Sequence, residues 1–159
     1  MCIRDRDGID DLIIGANLAD PNGNQNAGRS YVVFGSNAGF SSSFDLSTLN
    51  GANGFVINGI NAFDASGRRV SGGGDVNGDG IDDLIIGASY LGTFGNRTPG
   101  ESYVIFGNDG GFSSSLDLSN LNGTNGFAIR GIDQNDGAIS VCGAGDVNGD
   151  GIDDLIIGA

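Results

Sequence analysis

The chain has 159 residues and a formal net charge of -13, carried by 19 Asp and the single Glu101 against seven Arg, with no Lys, His or Trp. Such acidity excludes a nucleic-acid partner, which needs a basic surface, and disfavours anionic membranes. Without His there is no imidazole base for a triad, and without Lys no amine for a Schiff base.

Residues 1–6 match nothing else in the chain and read as a non-native leader. From Asp7 onward the chain repeats. The ten residues from Asp7 to Ala16 return unchanged at 79–88 and 150–159, and the two later copies are both preceded by Gly-Asp-Val-Asn-Gly. Asp7 to Asp79 spans 72 residues and Asp79 to Asp150 spans 71. Between the acidic segments, residues 28–60 align without gaps on 100–132, with 23 of 33 positions identical. Self-similarity at a period of tens of residues marks one supersecondary unit used repeatedly.

The middle period shows the unit. Four strand-like runs, Arg69–Gly73, Leu84–Ala88, Ser102–Gly107 and Gly126–Gly131, are separated by turn chemistry that includes Asn122-Gly123 and Asn125-Gly126. No stretch has a helical period of useful length, although Asp45–Leu49 and Asp117–Leu121 can each form a single turn. Leu84-Ile85-Ile86 and Tyr103-Val104-Ile105-Phe106 are continuously apolar, the pattern of strands covered on both faces. Four short strands per repeat predict an all-β propeller blade. The expected division is a leader (1–6), an incomplete first blade lacking its leading strand (7–66), a full second blade (67–137) and the opening hairpin of a third (138–159).

Several side chains carry simple expectations. Phe34, Phe40, Phe106 and Phe112 recur at equal positions and read as core. Ser41–Ser43 and Ser113–Ser115 read as turn segments with no base beside them. Cys142 stands where the preceding repeat has Ser71 and reads as a small buried residue. Arg68, Arg69 and Arg130 read as partners of neighbouring Asp residues. The sequons Asn96-Arg97-Thr98 and Asn122-Gly123-Thr124 read as chance in an Asn-rich chain. No apolar run approaches the ~20 residues of a membrane span, and no signal peptide is visible.

The acidic segments carry the chemistry. Asp75, Asn77, Asp79 and Asp83 occupy positions 1, 3, 5 and 9 of a loop with Gly80 at position 6. Short oxygen donors on alternate residues around a sharp turn wrap a hard cation, and an all-oxygen set with no thiolate or imidazole favours Ca2+. An EF-hand needs a Glu at position 12 and flanking helices, but position 12 here is Ile86 or Ile157 inside a strand. Gly72-Gly73-Gly74-Asp75 occurs once per long period, unlike tandem glycine-rich toxin repeats. The alternative is a metal-free acidic hairpin, which must bear the repulsion of its packed carboxylates. Asp82 and Asp153 point away from Asp83 and Asp154 along the strand and read as solvated at the rim.

The run Val-Ser-Gly-Gly-Gly-Asp-Val-Asn-Gly-Asp-Gly-Ile-Asp-Asp-Leu-Ile-Ile-Gly-Ala, followed by Ser-Tyr-Val-Ile-Phe-Gly, resembles the FG-GAP repeats of integrin alpha-chain propellers, and most closely those of bacterial secreted proteins. The resemblance covers residues 7–159. It implies calcium held by Asp75, Asn77, Asp79, the Ile81 carbonyl and Asp83, and again by Asp146, Asn148, Asp150, the Ile152 carbonyl and Asp154. By the same register the first loop offers Asp5, Asp7, Ile9 and Asp11, with Ile3 at position 1. The chain departs from the family where Asn17 and Ser89, not Pro, follow Gly-Ala, and where Ser66-Gly67 and Asp136-Gly137 replace Phe-Gly ahead of the first strand. The implied function is non-catalytic: a calcium-binding extracellular propeller that meets protein or glycan ligands and neighbouring blades, with no nucleic acid and no membrane insertion. The alternative is an accessory propeller on a secreted hydrolase such as a phospholipase.

Overall fold

The computed structural model describes residues 8–89, 99–133 and 140–158, and the backbone of 2–4. The described residues form three sheets in chain order. In the first, β1 (Cys2–Arg4), β2 (Asp10–Ala16), β3 (Arg29–Val33) and β4 (Gly54–Asn58) are antiparallel neighbours. In the second, β5 (Ser66–Gly74), β6 (Asp83–Ala88), β7 (Glu101–Ile105) and β9 (Gly126–Arg130) follow the same order. The third is the hairpin of β10 (Ser140–Gly145) and β11 (Asp154–Gly158). This is a partial propeller of antiparallel four-stranded blades, as the sequence predicts.

Two strands were not anticipated. The leader was expected to leave the first blade without its opening strand, yet Cys2–Arg4 pairs with β2 from Cys2↔Leu12 to Arg4↔Asp10. Backbone hydrogen bonding needs no particular side chain, so even an unrelated segment can cover a strand edge. The second is β8 (Ser115–Asp117), which leaves the second blade to pair in parallel with β4, Val56↔Ser115 through Asn58↔Asp117. The expected single turns are 3-10 turns at Leu46–Thr48 and Leu118–Asn120.

β5 lies beside β2 of the first sheet and β10 of the third, and glycine allows the close approach. A Cβ at Gly15 of β2 would sit 2.0 Å from the Gly67 carbonyl oxygen in β5, and one at Gly143 of β10 would sit 2.8 Å from that of Gly73. Two apolar layers fill the spaces between sheets. Ile13, Val32, Phe55 and Ile57 of the first blade meet Leu84, Ile86, Tyr103 and Ile105 of the second. On the other side, Ile85 and Val104 meet Val141, Leu155 and Ile157 of the hairpin. Every residue of β6 is buried, as its continuous apolar run requires.

Some side chains depart from expectation. Cys142 is exposed, because among the described residues no strand packs beyond the hairpin. Phe40 is 53% exposed, unlike its equivalent Phe112, which packs into the first apolar layer. Arg130 pairs with Glu101 at 3.0 Å, not with an Asp. Arg68 donates to the Ser89 hydroxyl at 3.1 Å and Arg69 to the Arg68 carbonyl at 3.0 Å. Asn96-Arg97-Thr98 and Asp136-Gly137 lie outside the described residues.

Candidate metal centre

The acidic loop joining β5 to β6 is folded by its own side chains. Asp75 Oδ1 accepts the backbone N–H groups of Gly78 (2.7 Å) and Asp79 (3.0 Å), and Asp75 Oδ2 accepts that of Gly80 (2.7 Å). Asn77 Oδ1 accepts from the Asp79 N–H at 2.8 Å, and Asp79 Oδ1 from the Ile81 N–H at 2.9 Å. Asp and Asn form such local bonds readily, which is why they set this turn. Gly80 supplies the positive φ of 84° at position 6. The loop between β10 and β11 repeats the arrangement. Asp146 accepts from Gly149, Asp150 and Gly151, Asn148 from Asp150, and Asp150 from Ile152, all at 2.7–3.1 Å. The Gly151 bond, helped by those of Gly149 and Asp150, holds the Asp146 carboxyl below its usual range.

Asp83 closes the loop from the strand side. Its side chain is fully buried, and its two oxygens accept from the Val76 N–H (3.0 Å) and the Gly107 N–H (2.8 Å). It thereby ties the loop to the end of β7. Asp11 does the same toward Gly35 at 2.7 Å, whereas Asp154 accepts the Val147 N–H of its own loop at 2.8 Å, as Asp83 does that of Val76. Burial pushes the Asp83 carboxyl up to about 6, with the charges of Asp79 and Asp75 adding to the effect and the Gly107 and Val76 bonds opposing it.

The structure thus places Asp75, Asn77, Asp79 and Asp83 on one loop and Asp146, Asn148, Asp150 and Asp154 on another, with Ile81 and Ile152 at the turn exits. Among the described residues, no three Asp, Glu, His or Cys side chains are gathered closely enough to hold a metal ion by themselves. The donor chemistry still suits a hard cation. A carboxylate has about four lone-pair sites, and the bonds to Asp75 and Asp83 use three and two of them. Asp5 and Asp7 lie outside the described residues, and Ile9 precedes β2 half-buried.

The first acid of the Asp82-Asp83 and Asp153-Asp154 pairs is not simply solvated. Asp82 and Asp153 are both half-buried. Asp153 Oδ2 accepts the Asp75 N–H at 3.0 Å, and the Asp153 N–H donates to the Asp75 carbonyl at 3.0 Å. The third loop is therefore stitched to the first residue of the second. Sequence reasoning missed this link because Asp153 and Asp82 have identical neighbours, while the partner lies 78 positions away. The tie from Asp83 to Gly107 did have a signal, the Phe-Gly pair repeated at Phe34-Gly35 and Phe106-Gly107. A cleft of about 230 Å³ opens beside it, lined by Phe34, Phe55, Phe106 and Phe112 with Asp82 and Asp109 at its rim.

Antiparallel sheets laid side by side, the second and third each with an acidic loop between its first two strands, define a propeller-blade protein. Residues 5–33 and 66–105 match the FG-GAP repeat model, so the chain carries FG-GAP repeats over those residues. It is 31% identical over 156 residues to the phosphatidylinositol-glycan-specific phospholipase D of Bos taurus and 33% identical over 157 residues to that of Homo sapiens. Each match covers 97% of this chain and 17% of the relative, so the chain spans under a fifth of the length of these relatives.

Proposed function

We propose that the chain is a non-catalytic, calcium-binding propeller module of an extracellular protein, presenting protein- or glycan-binding surface. The observation that carries this reading is the pair of loops that share the same turn-forming bonds of Asp75, Asn77 and Asp79 and of Asp146, Asn148 and Asp150, each closed from the strand side by an Asp. Burial, with the charges of Asp79 and Asp75 adding to it, raises the Asp83 carboxyl, and a divalent cation beside it would offset that cost. Asp75, Asn77, Asp79, the Ile81 carbonyl and Asp83 would hold one ion, and Asp146, Asn148, Asp150, the Ile152 carbonyl and Asp154 the other. Bound there, calcium supplies cross-linking of the loop to its strand. Among the described residues no helix is long and apolar enough to cross a membrane.

Calorimetric titration tests the metal reading. Two sites with Kd on the order of 10⁻⁴–10⁻³ M for Ca2+ are expected, with Mg2+ far weaker because it demands rigid octahedral geometry. Zinc binding tighter than calcium, or no heat at millimolar calcium, overturns it. A second reading, an accessory propeller on a secreted hydrolase, is favoured by the match to two phospholipases D along 97% of this chain. Neighbouring sequence in the gene discriminates: an adjoining hydrolase domain supports the accessory role, and further blades with a surface anchor support adhesion.

A further inference from the structure

The chain contains eight Asn-Gly pairs, beginning at Asn22, Asn50, Asn53, Asn58, Asn77, Asn122, Asn125 and Asn148. Asn before Gly is the dipeptide most open to reaction with its own backbone, because glycine places no side chain in the way of its amide nitrogen. In seven of the eight the Asn carboxamide is held. Asn50 Oδ1 accepts the N–H groups of Ala52 (2.9 Å) and Asn53 (3.3 Å). Asn53 Oδ1 accepts the Asn50 N–H (3.0 Å), and its Nδ2 donates to the Thr48 carbonyl (3.2 Å). In the second blade Asn122 accepts from Thr124, and Asn125 joins the Asn122 N–H to the Asn120 carbonyl. Asn58 bridges Arg29 and Asp117, each at 2.9 Å. In the acidic loops Asn77 accepts the Asp79 N–H (2.8 Å) and donates to Asp79 Oδ2 (3.0 Å), and Asn148 accepts the Asp150 N–H (2.9 Å).

The glycine N–H that follows is tied as well at most of these pairs. Gly51 donates to the Gly54 carbonyl (2.8 Å), Gly59 to that of Gly28 (2.9 Å) and Gly123 to that of Gly126 (2.9 Å). Gly78 and Gly149 donate to the Asp75 and Asp146 carboxylates, each at 2.7 Å. Asn22 is different. It sits in the turn Pro21–Gly23 between β2 and β3, exposed together with Gly23, with its backbone in the left-handed region at φ 55°. Among the described residues its carboxamide has no hydrogen-bond partner, and a Cβ at Gly23 would meet nothing within 4 Å. The turn is closed past it by the Asn24 N–H on the Pro21 carbonyl (2.9 Å). On its far side Asn24 Nδ2 donates to the Ile60 carbonyl (2.8 Å) and the Asn26 N–H to Asp20 Oδ1 (2.6 Å), so the loop is anchored while Asn22 is not. All of these bonds lie within single loops or between the first two blades, and further blades would leave them in place.

We propose that Asn22 is the site at which the folded chain modifies itself, by deamidation through a cyclic imide. The Gly23 amide nitrogen attacks Asn22 Cγ and gives up its proton; the Cγ–Nδ2 bond breaks and ammonia leaves carrying that proton. Water then opens the five-membered ring at one of its two carbonyls, leaving aspartate or isoaspartate in place of the asparagine. Nothing is oxidised or reduced, and water is the only co-reactant. The attack requires rotation about the Asn Cα–C bond until the glycine nitrogen faces Cγ. At the seven other pairs that rotation strains or breaks a carboxamide hydrogen bond, and at Asn22 there is none to break. In the acidic loops the bonds that shape the turn thereby also keep Asn77 and Asn148 intact, since the attacking nitrogen is held on a carboxylate. The product carries one more negative charge, two residues from Asp20. The reaction is independent of calcium.

Peptide mapping by mass spectrometry reads the reaction site by site in the folded 159-residue chain, held in mildly alkaline buffer with a chelator. Fragmentation separates isoaspartate from aspartate. Asn22 should convert roughly five- to tenfold faster than any other Asn-Gly pair, since elsewhere a hydrogen bond must break first. In urea, where those restraints are gone, all eight pairs should react at comparable rates. Asp75→Ala frees the Gly78 N–H and should raise conversion of Asn77 several-fold while leaving Asn148 slow. Far-UV circular dichroism checks folding, and Asp146→Ala makes the same test at Asn148 if Asp75→Ala does not fold. Another pair converting as fast as Asn22 in the folded chain, an Asn22 lead that persists in urea, or loop asparagines indifferent to loss of the carboxylate overturns the proposal.

Discussion

The heptapeptide Asp-Asp-Leu-Ile-Ile-Gly-Ala ends three hairpin loops in this chain, and its three copies live in three environments. In β6, Leu84, Ile85 and Ile86 are 5%, 0% and 0% exposed. In β2, Ile13 is buried while Leu12 and Ile14 are 46% and 40% exposed. In β11 the pattern inverts: Leu155 and Ile157 pack against the second blade while Ile156 is 57% exposed. Sequence fixes which side chains share a face of the strand, and neighbours decide which face is dry. A blade is stable to the extent that it is stacked, because unit and interface contributions add along a repeat array.

Breaking one methyl-rich contact in β6 and its equivalent in β2 should expose that difference most strongly. Ile86→Ala removes a fully buried side chain between two blades and should cost about 2–5 kcal/mol in chemical denaturation. Ile14→Ala removes its sequence equivalent from a half-wet face and should cost less than about 1 kcal/mol. Equal losses at the two positions would mean that burial does not govern the repeats in this way.

The buried acid offers the next contrast. Asp83→Ala orphans the N–H groups of Val76 and Gly107 inside the protein, an expected loss of about 3 kcal/mol. Asp154→Ala frees one N–H, that of the exposed Val147, which water can satisfy, and should cost about 1 kcal/mol or less. Urea melts in a chelator isolate this structural part of the Asp role from any metal contribution. A third pair compares aromatic equivalents. Phe112→Ala breaks the stack on Phe55 and should cost about 2 kcal/mol, whereas Phe40→Ala, on an exposed ring, should leave the dilute chain within about 0.5 kcal/mol of wild type.

These contrasts also show what the sequence could and could not reveal. The strands of each blade were legible because apolar β-branched runs alternate with Asn-Gly and Asp-rich turns at fixed spacing, and the acidic turns were legible because Asp and Asn fall on alternate positions around Gly80 and Gly151. The parallel strand at Ser115–Asp117 was not, since a Ser-rich segment lacks the composition of a strand and joins one only because β4 presents an open edge. Phe40 and Phe112 could not be told apart, nor Ser71 from Cys142, because equivalence in sequence says nothing about which end of the stack a residue occupies. The link from Asp153 to the Asp75 backbone was hidden for the same reason.

The smallest expected effect separates the loops themselves. If the two complete loops bind calcium independently, a tenfold excess over Kd stabilises the chain by about 1.4 kcal/mol per site. Asp79→Ala and Asp150→Ala should each abolish one site, halving both the calorimetric stoichiometry and the calcium-induced shift in thermal midpoint. Asp82→Ala should leave affinity almost unchanged, since strand alternation directs its side chain away from Asp83. Asp153→Ala sharpens the comparison. Its side chain also lies off the loop's ligand set, yet it holds the Asp75 N–H at the first position of the neighbouring loop. Removing it should weaken calcium at Asp75 by a few-fold while sparing the Asp146 loop, a coupling that Asp82→Ala lacks. Identical titrations for Asp82→Ala and Asp153→Ala would show that the two loops bind without regard to one another.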